Sequence, residues 1–215
     1  MGGIFNPEGK FAHYGGKLWD LMWLNVLVIF CSVPVFTMGA SMTAMHYVIL
    51  KIYRDEETAI TKIFFKSFRD NFKQSTVMTL IFAFALYCLV LGFRLAATSQ
   101  DAITGVVTYL LPVAAVVVIC IFVWGIVMQS RYHNSIMGTI RLALAAILVH
   151  PVRSLAIGIL FVLPFAMAFL VEGGFIIVTL GGFTLTGLLQ TGLYNAVFYK
   201  LEHKDAEDET TEINE

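Results

Sequence analysis

The fold is decided by residues 76–97, TVMTLIFAFALYCLVLGFRLAA, a run of 22 residues in which Arg94 is the one charged side chain. A transmembrane helix needs about 20 predominantly apolar residues to cross roughly 30 Å of hydrocarbon. The run meets that length, so it predicts a membrane-spanning helix. A second run of the same kind covers residues 103–129.

A third apolar stretch, residues 155–198, is too long for one span. It is divided by Glu172-Gly173-Gly174, and a polar residue followed by two glycines is typical of a tight turn. We therefore predict two spans here, over residues 155–171 and 175–198.

The composition of the whole chain agrees with these runs. Of 215 residues, 58% are hydrophobic and 13% are charged, whereas ordinary soluble domains carry about 25% charged residues. Too few polar side chains remain to cover a soluble core. The net charge of −1 also offers no basic surface for nucleic acid. We therefore expect an integral membrane protein that contacts the lipid bilayer and has no nucleic-acid partner.

The front of the chain allows two interpretations. Residues 18–50 form an apolar stretch that is too long for one span and short for two, with Pro34 near its middle. Proline interrupts helical hydrogen bonding and disfavours helix at the residue before it. The stretch is therefore either one kinked helix or a helical hairpin over residues 18–33 and 38–53.

The distribution of basic residues favours the hairpin. Lys and Arg in short loops mark the cytoplasmic side of a membrane protein. With a front hairpin, Lys10 and Lys17 lie on the same side as every other Lys and Arg except Arg94. A single front span would place those two lysines outside. We therefore predict six spans with both termini in the cytoplasm, and five spans as the alternative.

Two segments of the predicted membrane domain, residues 1–200, resemble each other. A fixed shift along the chain aligns Tyr53 with Tyr132, Lys62 with Arg141, Ser75 with Ser154 and Phe82 with Phe161. Each unit, about 38–97 and about 104–172, is interpreted as an inward span, an intracellular helix and an outward span, so the repeat is parallel. The sequence thus predicts an all-α membrane helix bundle with two intracellular interfacial helices. Residues 201–215 are acidic, and we expect them to form a disordered cytosolic tail.

The intracellular helix of the first unit has the clearest pattern in the chain. Apolar side chains recur every four residues on one face and basic side chains occupy another: Ile60, Phe64, Phe68 and Phe72 on the first, and Lys62, Lys66, Arg69 and Lys73 on the second. This pattern predicts an amphipathic helix in the plane of the membrane interface, which either anchors to anionic lipid or docks on another protein. The second unit's helix, residues 137–149, is more uniformly apolar, so we expect other helices to cover it.

Small residues cluster at two places in the predicted spans. Gly39, Ala40 and Ala44 would let helices approach closely, and a homo-oligomer is compatible with such a seam. At Gly181 and Gly182 two interpretations stand: close packing, or a broken helix that exposes carbonyls to a substrate. The titratable candidate near mid-membrane is His46, which we expect to be a packed hydrogen-bonding residue rather than a proton relay.

The sequence contains no pattern for catalysis or cofactor binding. It lacks the H-E-x-x-H, G-x-S-x-G and P-loop motifs. Its three cysteines, Cys31, Cys88 and Cys120, lie in separate apolar runs without metal-ligand spacing. We therefore predict a non-enzymatic protein with no catalytic residue, no metal site and no cofactor.

Several short motifs together resemble the YesL-like membrane proteins of Gram-positive bacteria, a family of unknown function. The motifs are FNPEGK at 5–10, PVFTMGAS at 34–41, RDEE at 54–57, FFKSF at 64–68, NFKQ at 71–74 and HPVRSL at 150–155. Members of that family are commonly encoded beside carbohydrate ABC importers and polysaccharide-degrading enzymes. The resemblance implies a protein of the bacterial cytoplasmic membrane with an accessory role in sugar uptake, in contact with ABC permease subunits.

The chain departs from importer permeases themselves, because its intracellular helices lack the Glu-Ala-Ala…Gly signature and no ATPase domain is present. The sequence therefore favours an accessory component of a carbohydrate ABC uptake system. The alternative is a small autonomous transporter of an uncharged solute that works through a helix break at Gly181 and Gly182.

Overall fold

The computed structural model describes residues 10–54, 56, 59–98, 102–132, 135–195 and 197–198, and over these residues the chain is all-helical. The predicted acidic tail, residues 201–215, lies outside the described residues. The buried core draws side chains from most of the helices. Its largest fully buried members include Trp124, Tyr194, Phe64 and Phe198.

Two separate helices form the front of the chain, as the hairpin interpretation predicts. Helix α1 covers Lys10–Ser32, a short 3-10 helix covers Val35–Thr37, and α2 covers Met38–Tyr53. The interruption falls at Pro34, whose backbone is extended (φ −76°, ψ 114°). Helices α1 and α2 pack against each other, so the proline divides the apolar stretch into a hairpin.

Helix α3 is a single helix of 39 residues, Ile60–Thr98. The sequence predicted an interfacial helix over residues 60–73 and a separate span over 76–97; the structure contradicts that division. Neither glycine nor proline lies between Lys73 and Thr76, so the helical hydrogen bonding continues through the change from basic to apolar residues. At 1.5 Å per residue α3 is about 58 Å long.

The second unit is divided where the first is not. Helix α4 covers Ala102–Gln129, α5 covers Ile136–Val149 and α6 covers Pro151–Leu170. His150 between the last two is not helical (φ −131°, ψ 64°), because the ring of Pro151 disfavours helix at the residue before it. Ser135 caps α5 by accepting a hydrogen bond from the Gly138 N–H at 3.2 Å.

The expectation that other helices cover the second intracellular helix is wrong. Several apolar side chains of α5 are exposed, including Met137, Leu148 and Val149. The side chains of α5 that are buried are small, namely Thr139, Ala143 and Ala146. Only this narrow side contacts the bundle, so the larger apolar side chains of α5 do not pack against the described part of the chain.

The C-terminal helix has three parts. Gly174–Ile177 forms α7, Val178–Gly182 forms a π-helical turn, and residues 183–195 form α8. The predicted turn at residues 172–174 separates α7 from α6, and Gly173 adopts the left-handed conformation (φ 76°) that glycine tolerates best.

Five helices of the described chain are long and apolar enough to cross a membrane: Val35–Tyr53, Ile60–Thr98, Thr104–Gln129, Pro151–Leu170 and Gly174–Asn195. The chain therefore has the make-up of a polytopic membrane protein. Helix α1 is not among the five, and six spans remain a prediction.

The aligned positions of the two units converge on α4 from two sides. Phe82 of α3 stacks on Phe122 with ring centroids 4.0 Å apart, and Phe161 of α6 contacts the same ring at 5.9 Å. Ser75 donates a hydrogen bond to Gln129 of α4, and Trp124 of α4 donates one to Ser154, both at 2.9 Å. Aligned positions of α3 and α6 thus contact the same helix, α4.

Candidate functional site

The basic face of α3 is exposed along the first third of the helix. Its members are Lys62, Lys66, Arg69 and Lys73, and all four side chains are exposed. They precede the apolar run that begins at Thr76, so the basic surface of α3 lies directly before its apolar surface. This arrangement places a cationic surface next to one end of a candidate span.

The aromatic face of the same segment is mostly covered by the chain itself. Ile60 and Phe64 are buried in the core and Phe68 is half-buried, while Phe72 remains 37% exposed. The rings of Phe64 and Phe68 stack at 6.1 Å, and Phe68 contacts Phe72 at 5.5 Å. Ile60 and Phe64 are therefore unavailable for docking, which restricts the predicted docking residues to the basic side chains and the exposed aromatic ones.

Three helices meet at Ser75 in the middle of α3. Thr43 Oγ1 of α2 lies 3.2 Å from Ser75 Oγ, and Ser75 Oγ donates to Gln129 Oε1 of α4 at 2.9 Å. Gly39 packs so closely that an added Cβ would overlap Thr79 Oγ1 and the Ser75 carbonyl oxygen. The other predicted packing residues, Ala40 and Ala44, are completely buried. The small-residue cluster of α2 thus lies inside one chain, where α2 contacts its neighbours.

The predicted break at Gly181 and Gly182 coincides with an interruption of the C-terminal helix. Gly181 has a non-helical backbone (φ 167°, ψ 10°). The side chain of Asn25, from α1, bridges the interruption. Its Nδ2 donates to the Val178 and Thr179 carbonyl oxygens at 2.9 and 2.8 Å. Its Oδ1 accepts from the Phe183 and Thr184 N–H groups at 3.1 and 3.2 Å.

Asn25 therefore replaces the hydrogen bonds that the helix loses at its break. It is completely buried, and its four bonds use both the donor and the acceptor of the carboxamide. A broken helix here was predicted to expose carbonyl oxygens to a substrate, but those of Val178 and Thr179 already accept hydrogen bonds from Asn25. The sequence analysis missed Asn25; a single amide within an otherwise apolar run, LMWLNVLV at 21–28, was the available signal.

An apolar cavity of about 370 Å³ lies between α4 and α6, and one of about 340 Å³ lies beside the break. The second is lined by residues of α1 and of the C-terminal helix, including Leu18, Met22, Leu180 and Leu185. Apart from Thr184, side chains of this lining are apolar, so it would suit a hydrocarbon chain rather than a sugar.

His46 is buried between α2 and α8. Its Nδ1 lies 3.4 Å from the Tyr194 hydroxyl, which in turn lies 2.9 Å from Thr191 Oγ1. The ring contact of His46 with Tyr194 is edge-on at 5.8 Å. The histidine thus belongs to a packed polar pair within the bundle.

Acidic and metal-ligating side chains are scattered over the described chain. Within that part, no group of three or more His, Cys, Asp and Glu residues could hold a metal ion. The ion pair between Lys51 and Glu56, at 2.8 Å, joins the end of α2 to the loop that follows it. The hydrogen bond from Lys51 lowers the pKa of the Glu56 carboxyl below its usual value.

These features define a helical protein with several helices that could cross a membrane. Residues 21–93 are similar to a family described as "Protein of unknown function, DUF624". The matched region runs from α1 to α3 and therefore includes Asn25, the Ser75 junction and the basic face. No curated protein and no solved structure matches the chain.

Proposed function

We propose that the protein is a non-enzymatic accessory component of a carbohydrate ABC uptake system in the bacterial cytoplasmic membrane. The observation that carries the proposal is the exposed basic face of α3, which lies on a helix too long to be contained in a bilayer. The resemblance to YesL-like proteins supplies the kind of partner, the permease subunits of a sugar importer.

The length of α3 supports a surface that projects from the membrane. At about 58 Å the helix is nearly twice the roughly 30 Å thickness of the hydrocarbon. Its apolar portion begins at Thr76, so the portion before Lys73 extends beyond the hydrocarbon. Since basic residues favour the cytoplasmic side, that portion faces the cytoplasm and both termini lie there with it.

The docking surface combines charge with two exposed rings. Phe65 is 45% exposed and Phe72 is 37% exposed on the part of α3 that carries the basic residues. Aromatic side chains that fill pockets of a partner contribute most of the binding energy of typical interfaces. We therefore assign the anchoring role to Phe65 and Phe72, with the basic side chains guiding the approach of the partner.

Replacing Phe65 and Phe72 together with Ala is expected to abolish copurification with the permease subunits and to prevent growth on the imported sugar. Both rings are partly exposed, so the protein level should remain normal. The matched control is Phe84→Ala, which removes a ring that is 69% exposed on the apolar half of the same helix. Copurification and growth equal to the parent in the double variant would contradict the docking role.

Phe64→Ala tests a different property of the same segment. Because this ring is completely buried, its removal should lower the free energy of unfolding by about 3–5 kcal/mol. The measurement is thermal unfolding of the purified protein in detergent. An unchanged melting temperature would mean that Phe64 is not packed in the core.

If the basic face of α3 anchors to anionic lipid instead of docking on a partner, a different result is expected from substitutions of its basic residues. Each Lys or Arg near an anionic membrane surface contributes about 1 kcal/mol, and salt screens it. Replacing Lys62, Lys66, Arg69 and Lys73 one at a time with Gln should then cause small, interchangeable losses in binding to anionic vesicles. A variant that no longer copurifies with the permease subunits but still binds vesicles would favour docking on the permease over anchoring to lipid.

The second candidate function is a small autonomous transporter of an uncharged solute. The observation that favours it is the interrupted C-terminal helix, since broken helices line substrate sites in many transporters. Flux of a radiolabelled sugar into liposomes that contain this protein alone is the test. Flux without any ABC subunit would support the transporter and contradict the accessory role.

A further inference from the structure

The α1–α2 hairpin ends beside the middle of α3. Gly39, in the first turn of α2, packs against Ser75 and Thr79, and Thr43 contacts Ser75 one turn later. Tyr53, at the other end of α2, is followed by the loop that leads to the start of α3. Helix α2 therefore lies along the first half of α3.

The second half of α3 packs against α4 instead. Phe82 stacks on Phe122, and Gly92 faces Leu111 further along. Helix α4 ends at Gln129, level with Ser75, so α2 and α4 meet nearly end to end at this serine. From Thr79 to the end of α3 at Thr98 the rise is about 28 Å, and the hairpin leaves most of that length uncovered.

The apolar residues of α2 face protein rather than lipid. In its most apolar window 72% of the residues are buried, compared with 11% for α3 and 28% for α6. A helix that is buried among other helices can be apolar without crossing the bilayer. The composition of α2 therefore does not require it to span.

The tip of the hairpin has the surface of a segment inserted in hydrocarbon. Val33 and Val35 are 74% and 72% exposed, and Phe36 beside them is half exposed. The Thr37 hydroxyl lies 2.6 and 2.7 Å from the carbonyl oxygens of Cys31 and Pro34, and the Thr37 N–H donates to Pro34 at 2.9 Å. Non-helical backbone at membrane depth needs such partners.

We propose that the α1–α2 hairpin is re-entrant: it enters the bilayer from the cytoplasmic side, places its tip among the acyl chains of the inner leaflet and returns. The Trp23 indole N–H donates to Thr61 Oγ1 at 2.9 Å, so α1 lies beside the start of α3, on the side of the bundle that carries the basic residues. The first turn of α2 lies level with Ser75 and Thr79, next to the start of the apolar run of α3 at Thr76, so the tip of the hairpin lies beside the first turns of that run. Lys10 and Lys17 then remain cytoplasmic although neither helix crosses.

Cysteine labelling from the two sides of the membrane tests this topology. In a variant whose three native cysteines are replaced with Ala, single cysteines are placed at Val35 and at Phe36. Glu172→Cys serves as the outer reference, because the α6–α7 turn lies at the same end of the bundle as the end of α3, and Lys66→Cys serves as the inner one. Intact cells, permeabilised cells and detergent-dissolved membranes are treated with a membrane-impermeant maleimide.

The proposal expects Val35→Cys and Phe36→Cys to stay at background with the impermeant reagent on both sides, because hydrocarbon suppresses the reactive thiolate, and to react once detergent has dissolved the membrane. Labelling in intact cells at the level of Glu172→Cys would mean that the hairpin crosses, and would overturn the proposal. Labelling only after permeabilisation, as for Lys66→Cys, would place the tip in the cytoplasm and would overturn it as well.

A distance measurement in lipid vesicles excludes a hairpin that crosses but remains shielded. With nitroxide labels at Val35 and Leu95, the re-entrant hairpin predicts a separation of about 20 Å or more, since Thr79 and Leu95 differ in height by about 24 Å along α3. A separation well below that value would bring the tip level with the far end of α3 and contradict the proposal. Both labelled positions are exposed, so the fold should tolerate them.

Discussion

Asn25→Leu should lower the free energy of unfolding by about 3 kcal/mol or more. The substitution leaves two carbonyl oxygens and two N–H groups of the C-terminal helix without their partner. A buried polar group that loses its hydrogen bond costs about 1–3 kcal/mol, and bonds inside membranes contribute toward the lower end. The loss should be visible as a lower melting temperature in detergent and as faster proteolysis near residues 178–184.

Asn195→Leu is the matched control for that experiment. Asn195 is half-buried and accepts one long hydrogen bond, from Arg54 at 3.3 Å, so its replacement should cost less than the loss of the four buried hydrogen bonds of Asn25. If Asn25→Leu were no less stable than Asn195→Leu, Asn25 would not bridge the helix break.

Gly39→Ala should destabilise the protein although it adds only one methyl group. The new Cβ would overlap Thr79 Oγ1 and lie 2.9 Å from the Ser75 carbonyl oxygen, and a backbone atom cannot move aside as a flexible side chain can. Overpacking of this kind costs typically 1–3 kcal/mol and would also separate the three helices that meet at Ser75. Thermal unfolding and exchange of the Ser75 region with deuterium would measure the effect.

Gly105→Ala provides the opposite expectation in the same protein. Nothing lies within 4 Å of the position its Cβ would take, and alanine is favoured over glycine in a helix interior by about 1 kcal/mol. This variant should be as stable as the parent or more stable. Equal effects at positions 39 and 105 would contradict the close approach of α2 to α3.

The helices themselves were largely predictable because they depend on local composition. Apolar runs of sufficient length predicted α4, α6 and the C-terminal helix, and Pro34 and Glu172-Gly173-Gly174 marked two interruptions through their own backbone preferences. The continuity of α3 was missed for a physical reason. A change from basic to apolar side chains alters the surroundings of a helix, and it does not break the hydrogen bonding of the backbone.

The residues of the candidate site were less predictable because they depend on contacts between distant segments. Periodicity identified one face of residues 60–73 as aromatic, and only tertiary packing decided that Phe64 is buried and that Phe72 stays partly exposed. Asn25 and the groups it binds are separated by 153 residues or more, so no local pattern joins them. Composition could at most mark Asn25 as an isolated amide in an apolar run.

Because α3 is one uninterrupted helix, it joins its basic first turns rigidly to the residues that follow Ser75. At Ser75 the helix is held by contacts with Thr43 of α2 and Gln129 of α4. The segment from Ile60 to Ser75 is about 22 Å long, so a tilt of α3 by about 5° about Ser75 would displace Ile60 by about 2 Å. The segment of α3 beyond Ser75, which carries Phe82, would move in the opposite direction. A displacement of the basic end would therefore be passed along α3 to Phe82 and to the ring of Phe122 on which it stacks.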